Sequence, residues 1–190
     1  MTATLAPDGF RPSRIRGGSP NSAGANEYPI ASAYNSNIFA GDIVTNAAGY
    51  VNVLATTTDK AMGVFIGCRY VVNGQPQWSD YWPANTSATD AYAMVVDNPE
   101  ATFVAQADGV VSIGDMNSQN FNITLGAGST VTGRSGFAID ASTRTTGHAM
   151  VRPIAVVNEP GNVLGSGYPR VECRIVKHID AYISADSSVN

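Results

Sequence analysis

The sequence has little charge, little histidine and little cysteine. Charged residues make up 14% of the 190 residues, whereas soluble proteins average about 25%. Two histidines and two cysteines are too few for a disulfide scaffold, and the spacing of the cysteines fits no metal-binding motif. We therefore expect Cys68 and Cys173, each within an apolar run, to be core residues, and we expect neither a bound metal nor a cofactor.

Long apolar segments and catalytic motifs are also missing. No run of about 18 apolar residues exists, so the sequence predicts no membrane-spanning helix and no membrane partner. The N-terminus lacks the basic start and apolar stretch of a signal peptide, and we expect a protein that is made and retained in a cytosol, or assembled there. The segment "GRSGF" at 133–137 misses the spacing of the GxSxG nucleophile motif around Ser135, so we predict a non-enzymatic protein without catalytic residues.

The first 26 residues combine positive charge with residues that break helices. Three arginines against Asp8 give residues 1–26 a net charge of +2, whereas the rest of the chain carries −6. The prolines and glycines of this segment prevent a stable helix, so we predict an extended basic arm; the alternative is a disordered, solvated terminus. Nucleic-acid binders usually concentrate Lys and Arg on a folded face, so we expect the arm to bind a protein and not nucleic acid.

From residue 27 onward, short apolar or alternating runs are separated by Gly, Asn, Asp and Pro, which is typical of β-strands. Asn73 and Gly74 form a two-residue hairpin signal, so we predict that a strand at 61–72 pairs with a strand at 76–82. A bulge or bend is expected at Gly63 or Gly67 in the first of these strands. The sequence therefore predicts an all-β fold.

The predicted domain organisation has three parts. Residues 1–26 are the arm, and residues 27–180 form one β-barrel or jelly-roll-like β-sandwich domain with a single core. Residues 181–190 are predicted to be a C-terminal tail. No repeat of the length found in propellers or solenoids is detected, which argues against those architectures.

One segment, "QPQWSDYWPANTS" at 75–87, is rich in aromatic residues: it contains Trp78, Tyr81 and Trp82. Strand alternation would place the two tryptophans on one face and the tyrosine on the other. Two interpretations stay open. These residues form either a surface aromatic platform of the kind that β modules use to bind sugars, or a packed pair of tryptophans in the core.

Segments along almost the whole chain resemble one family. The chain is similar to small structural proteins of tailed bacteriophages, found beside head genes, in the segments "GFRPSRIRGGSPNSAGANEYPIAS", "AGDIVTN", "AMGVFIGCRYV", "WSDYWPA", "AMVVDNPEATFVAQADG", "TGRSGFAID" and "RVECRIVKH". The resemblance implies a capsid decoration or cement protein, which binds the outer surface of the head and bridges neighbouring major capsid protein subunits. It also implies a homo-oligomer, with a trimer favoured over a dimer, that is located in the virion after assembly in the cytoplasm of the bacterial host.

Within that interpretation the arm is the docking element. We predict an apolar anchor from its phenylalanine and contacts from its arginines to acidic groups of the major capsid protein, because guanidinium groups pair with carboxylates in bidentate geometry. The predicted capsid-docking residues are Phe10, Arg11, Arg14, Ile15 and Arg16. Three alternatives stay open: a virion module that binds host glycans through the aromatic platform, a hydrolase, and a head-completion or connector protein.

Overall fold

Short antiparallel strands account for most of the regular secondary structure in the described part of the chain. In the computed structural model, which describes residues 4–16, 24–165 and 167–180, the strands are β1 (Arg11–Ile15), β2 (Asn26–Pro29), β3 (Ile38–Phe39), β4 (Ile43–Ala47), β5 (Tyr50–Val53), β6 (Gly63–Val72), β7 (Gln75–Ser79), β8 (Tyr81–Trp82), β9 (Thr89–Val96), β10 (Ala101–Gln106), β11 (Ile123–Thr124), β12 (Ala138–Ile139), β13 (Val151–Val156) and β14 (Arg170–Ile175). Two short 3-10 helices span Ile113–Asp115 and Ala141–Thr143. Residues 1–3 and 17–23 of the predicted arm and the predicted tail at 181–190 lie outside the described residues.

The hairpin between β6 and β7 confirms the strongest local prediction. Asn73 has a φ of 50° and Gly74 a φ of 75°, which is the left-handed backbone that this kind of two-residue turn requires. The last five residues of β6 then pair with β7. Against β9, the register of β6 shifts between Phe65 and Gly67, so the predicted bulge lies near Gly67.

The strands form two larger and two small antiparallel sheets. The six-stranded sheet has the order β2-β9-β6-β4-β5, with β7 added beside β6, and the four-stranded sheet has the order β1-β10-β14-β13. Strand β3 pairs with β8, and β11 pairs with β12. None of these sheets closes into a barrel over the described ranges, so the all-β prediction is confirmed as a sandwich-like fold and the barrel alternative is wrong.

The apolar core has two parts, on opposite faces of the six-stranded sheet. The inter-sheet core contains Val64 and Val96 from that sheet and Phe103 and Cys173 from the four-stranded sheet. The reverse core contains Phe65, which follows Val64 directly and therefore points to the other face. The residues that cover the reverse core include Ile30, Ile38, Trp82 and Ala88. The prediction of a single core is therefore wrong.

Residues 4–16 of the predicted arm belong to this fold. Strand β1 pairs with β10 at the edge of the four-stranded sheet, with Arg11 opposite Val104. The Phe10 amide donates to the Gly41 carbonyl at 2.9 Å, and the Phe10 ring is fully buried in the inter-sheet core. The Gln106 side chain adds hydrogen bonds to the main chain before β1, at 2.8 and 2.9 Å. This part of the predicted arm is therefore held on the chain's own body.

Candidate functional site

The outer side of the four-stranded sheet collects most of the chain's arginines. Paired residues of β10 and β14 alternate in direction: Phe103 lies opposite Cys173 on the core side, whereas Thr102 lies opposite Arg174 on the outer side. Strands β1 and β13 and the residue after β1 contribute further arginines. We call this surface the arginine face, and its residues are Arg11, Arg14, Arg16, Arg152, Arg170 and Arg174.

Glu172 orients Arg14 at the centre of the arginine face. Nε and Nη2 of Arg14 donate to the two carboxylate oxygens of Glu172 at 2.8 and 2.7 Å, and the Thr102 hydroxyl donates at 2.6 Å. Burial would raise the pKa of Glu172, but the hydrogen bonds from Arg14 and Thr102 outweigh it and lower the pKa. Arg14 is therefore a charged, oriented group whose side chain is still 49% exposed.

Asp8 holds two further arginines of the face. Its carboxylate accepts a hydrogen bond from Arg170 at 3.2 Å and forms an ion pair with Arg11. The side chain of Arg11 remains 52% exposed. Because Arg170 also contacts Asp8, loss of the Arg11 side chain would still leave that carboxylate with a partner.

Neighbouring arginines are close enough to repel one another. Burial, followed by repulsion from Arg16 and Arg152, lowers the pKa of Arg174. The carboxylates among or beside the arginines are Asp8, Glu100, Glu159 and Glu172. Six arginines against four carboxylates leave an excess of positive charge, on a chain whose net charge is −4. An acidic partner surface would relieve this repulsion.

The predicted docking residues separate into two groups. Arg11, Arg14 and Arg16 are exposed on the arginine face. Phe10 is 0% exposed because its ring fills the chain's own inter-sheet core, so it is not an anchor for another protein in this fold. Ile15 is half-buried, and it lies opposite Ala101 of β10. The arginines of the prediction are thus available to a partner, and its phenylalanine is not.

Arg152, Arg170 and Arg174 were not predicted as site residues. Their strands join β1 only through β10, and that pairing between distant segments leaves no local mark in the sequence. A partial signal was present, since "RVECRI" at 170–175 alternates charged and apolar residues. This alternation is typical of a strand with one buried and one polar face.

The predicted aromatic platform does not form. Trp82 is fully buried, Tyr81 stacks on the ring of Phe39, and Trp78 is 70% exposed. A bend at Asp80 separates β7 from β8, so the alternation does not continue from one tryptophan to the other. Both interpretations of this segment, the three-residue platform and the packed tryptophan pair, are therefore wrong.

Reactive side chains are dispersed in the described ranges. No group of three or more His, Cys, Asp or Glu there could hold a metal ion. Cys68 and Cys173 are buried and unpaired, as predicted, and burial raises the pKa of the Cys68 thiol to about 12. Ser135 is 2% exposed, and its hydroxyl oxygen accepts a hydrogen bond from the Phe137 amide at 3.0 Å. The helices found in these ranges are too short to cross a membrane.

Comparison of the chain with protein-family models, with curated proteins and with solved structures returns no match.

Proposed function

We propose that the chain is a non-enzymatic virion structural protein that docks through the arginine face onto an acidic outer surface of a phage major capsid protein. In this role it decorates the head and bridges neighbouring capsid subunits. The observation that carries the proposal is the collection of six arginines on one side of a rigid sheet. Arginine suits such a contact because its planar guanidinium pairs with carboxylates and is enriched at protein interfaces.

The carboxylates within the arginine face favour a protein partner over nucleic acid. Glu172 and Asp8 lie among the arginines and would repel a phosphate backbone. A protein surface can instead place carboxylates opposite the arginines and hydrogen-bond donors opposite the carboxylates. The net charge of −4 also opposes non-specific binding to nucleic acid.

A lattice of identical subunits strengthens a contact of this kind. We further propose that copies associate with one another as trimers, so that each assembly docks through several arginine faces at once. The second and third contacts then form at a high effective concentration. Moderate affinity at each face is therefore enough for high occupancy of the shell.

Cosedimentation with undecorated heads of the phage that encodes the chain tests the proposal. Arg11 and Arg16 are the residues to change, because both are exposed and Asp8 keeps Arg170 when Arg11 is lost. We expect the double variant Arg11→Ala, Arg16→Ala to bind heads with an affinity reduced about tenfold or more, since each change removes a charged contact at the interface. The measured quantity is head occupancy as a function of protein concentration.

Lys60→Ala is the control for the loss of positive charge, because Lys60 is exposed and belongs to none of the four strands that carry the arginine face. We expect its occupancy curve to match that of the unaltered protein. Equal head occupancy for the double variant and the unaltered protein would contradict the proposal. Binding of the unaltered protein to DNA, together with no binding to heads, would also contradict it.

A further inference from the structure

Three side chains stand in a row on one side of the six-stranded sheet. Trp78 of β7 lies opposite Arg69 of β6, and Arg69 lies opposite Tyr92 of β9. Cross-strand partners project from the same side of a sheet, about 4.8 Å apart from strand to strand. The next pair along these strands, Cys68 and Ala93, points into the reverse core. The row therefore lies on the other side, where Trp78 is 70% exposed.

Arg69 is held in place within this row. Its Nε and Nη2 donate to the two oxygens of Glu27 at 2.8 and 2.7 Å, and its guanidinium carbon lies 4.5 Å from the centroid of the Tyr92 ring. A guanidinium has five N–H donors, and Glu27 takes two of them. The group is thus an oriented donor that loses little conformational entropy when a ligand binds.

Asp90 adds an acceptor beside this donor. The register between β6 and β9 shifts from Arg69 to Val71, and Asp90 has a φ of 48° at that point of β9. Positive φ is uncommon outside glycine, and a bulge of this kind redirects a side chain. The exposed carboxylate of Asp90 lines the same groove as Arg69 and Trp78.

The groove has the size and lining of a small-ligand site. Its volume is about 350 Å³, and its lining includes Arg69, Val71, Pro76, Trp78, Asp90 and Tyr92. Trp78 also lines a second groove of about 520 Å³, together with Asp80, Tyr81 and Met94. The indole therefore stands between two adjoining depressions, so an elongated ligand can cross it.

We propose that this surface, the tryptophan groove, binds a neutral oligosaccharide through Trp78 alone of the three aromatic residues of the segment 75–87. The C–H face of a pyranose ring packs on an exposed indole, while its hydroxyls accept hydrogen bonds from Arg69 and donate to Asp90. The two adjoining depressions provide room for more than one sugar ring. This site is separate from the arginine face, since it lies on the six-stranded sheet and uses none of the six arginines.

The charges around the groove disfavour other ligand classes. Glu27, Asp80 and Asp90 are negative and repel phosphate groups, which opposes nucleotides and single-stranded nucleic acid. Arg69 at the centre of the row repels organic cations. A ligand with many hydroxyls and no net charge can accept hydrogen bonds from Arg69 and donate them to Asp90 without electrostatic repulsion.

Titration of the intact protein with four defined neutral probes tests the proposal: maltohexaose, cellohexaose, laminarihexaose and hexa-N-acetylchitohexaose, each at millimolar concentration. Binding is measured by saturation-transfer NMR and by tryptophan fluorescence, in which buried Trp82 serves as an internal reference. We expect at least one probe to bind and to change the emission of Trp78. We expect Trp78→Ala to reduce its affinity about tenfold or more, and Trp78→Phe to retain part of it.

Tyr50→Ala is the matched control, because it removes another exposed aromatic ring from the edge strand β5 of the same sheet. We expect it, and the double variant Arg11→Ala, Arg16→Ala, to bind the probe like the unaltered protein. The melting temperature of each variant checks its folding. Failure of all four probes to bind, or equal affinity in Trp78→Ala, overturns the proposal and leaves the docking function of the arginine face untouched.

Discussion

Asp42 is a buried carboxylate where the N-terminal segment, β3 and the segment before β12 meet. It is 2% exposed, its Oδ2 accepts a hydrogen bond from the Phe39 amide at 2.7 Å, and its Oδ1 has no partner within the described ranges. Burial raises the pKa of Asp42 to about 6, although hydrogen bonds from Ser135 and Phe39 oppose the rise. Asp42 is therefore mostly ionised at pH 7, and its ionisation inside the fold costs the protein part of its free energy of unfolding.

Asp42→Asn is expected to stabilise the protein at pH 7. The folded-state pKa of about 6 lies above the ordinary value of 3.8, so the protonated form contributes stability that is fully present below pH 3.8 and is lost as the pH rises through 6. The amide of the variant does not ionise, so its free energy of unfolding at pH 7 is expected to exceed that of the unaltered protein by at most about 3 kcal/mol. Urea unfolding of both proteins between pH 4 and pH 7 measures it; a difference that does not shrink toward pH 4 would contradict the assignment.

Phe10→Ala is expected to destabilise the fold by about 3 to 5 kcal/mol, because it leaves a cavity in the inter-sheet core where a large ring is 0% exposed. The measurement is the free energy of unfolding in urea. Leu5→Ala is the control, since Leu5 lies in the same segment but is 43% exposed, and we expect little change. Similar stabilities for the two variants would mean that the N-terminal segment does not pack on the body in solution.

At the scale of elements, the turn between β6 and β7 depends on the backbone freedom of one glycine. An added Cβ at Gly74 meets nothing within 4 Å, so the effect of Gly74→Ala is purely that of its φ of 75°. We expect a loss of about 1 kcal/mol in the free energy of unfolding. Gly114→Ala in the first 3-10 helix is the control, because its backbone is in an ordinary region and we expect no loss there. Equal effects would contradict the turn assignment.

Elements governed by local chemistry could be predicted from the sequence, and elements governed by distant pairing could not. The turn at Asn73 and Gly74 follows from residue types alone. One bend at Asp80 was enough to place Trp78 and Trp82 in different environments. Successive side chains of a strand point to opposite faces, and a single interruption of the strand ends this alternation. The arginine face was the feature least predictable from the sequence, since its residues come from opposite ends of the chain.

The two-part core also left a signal in the sequence. The segment "AMGVFIGC" at 61–68 is continuously apolar, which is typical of a strand buried on both faces. Its residues do divide between the two cores, with Val64 in one and Phe65 in the other. The prediction of one core followed from chain length, which limits the total apolar volume but not how many layers divide it.

At the scale of the whole molecule, charge distribution separates the two proposed activities. The arginine face has a positive excess on a chain of net charge −4, so its association with an acidic shell is expected to slow steeply as salt rises from about 0.05 to 0.5 M. Binding of a neutral oligosaccharide in the tryptophan groove is expected to change little over the same range. Passing one protein sample over immobilised heads and over immobilised oligosaccharide, at each salt concentration, measures both association rates. A salt-independent association with heads would contradict electrostatic docking.

The pairing of Arg14 with Glu172 has a consequence for synthesis. These residues are 158 positions apart, and Arg14 is 88 positions from Thr102, so β1 leaves the ribosome long before its partners exist. The arginine face is finished only after translation has passed residue 174. A prematurely ended chain lacks both the carboxylate that orients Arg14 and the last arginines of the face. On the proposed function, docking would therefore select completed chains, and the shell itself would act as a check on translation.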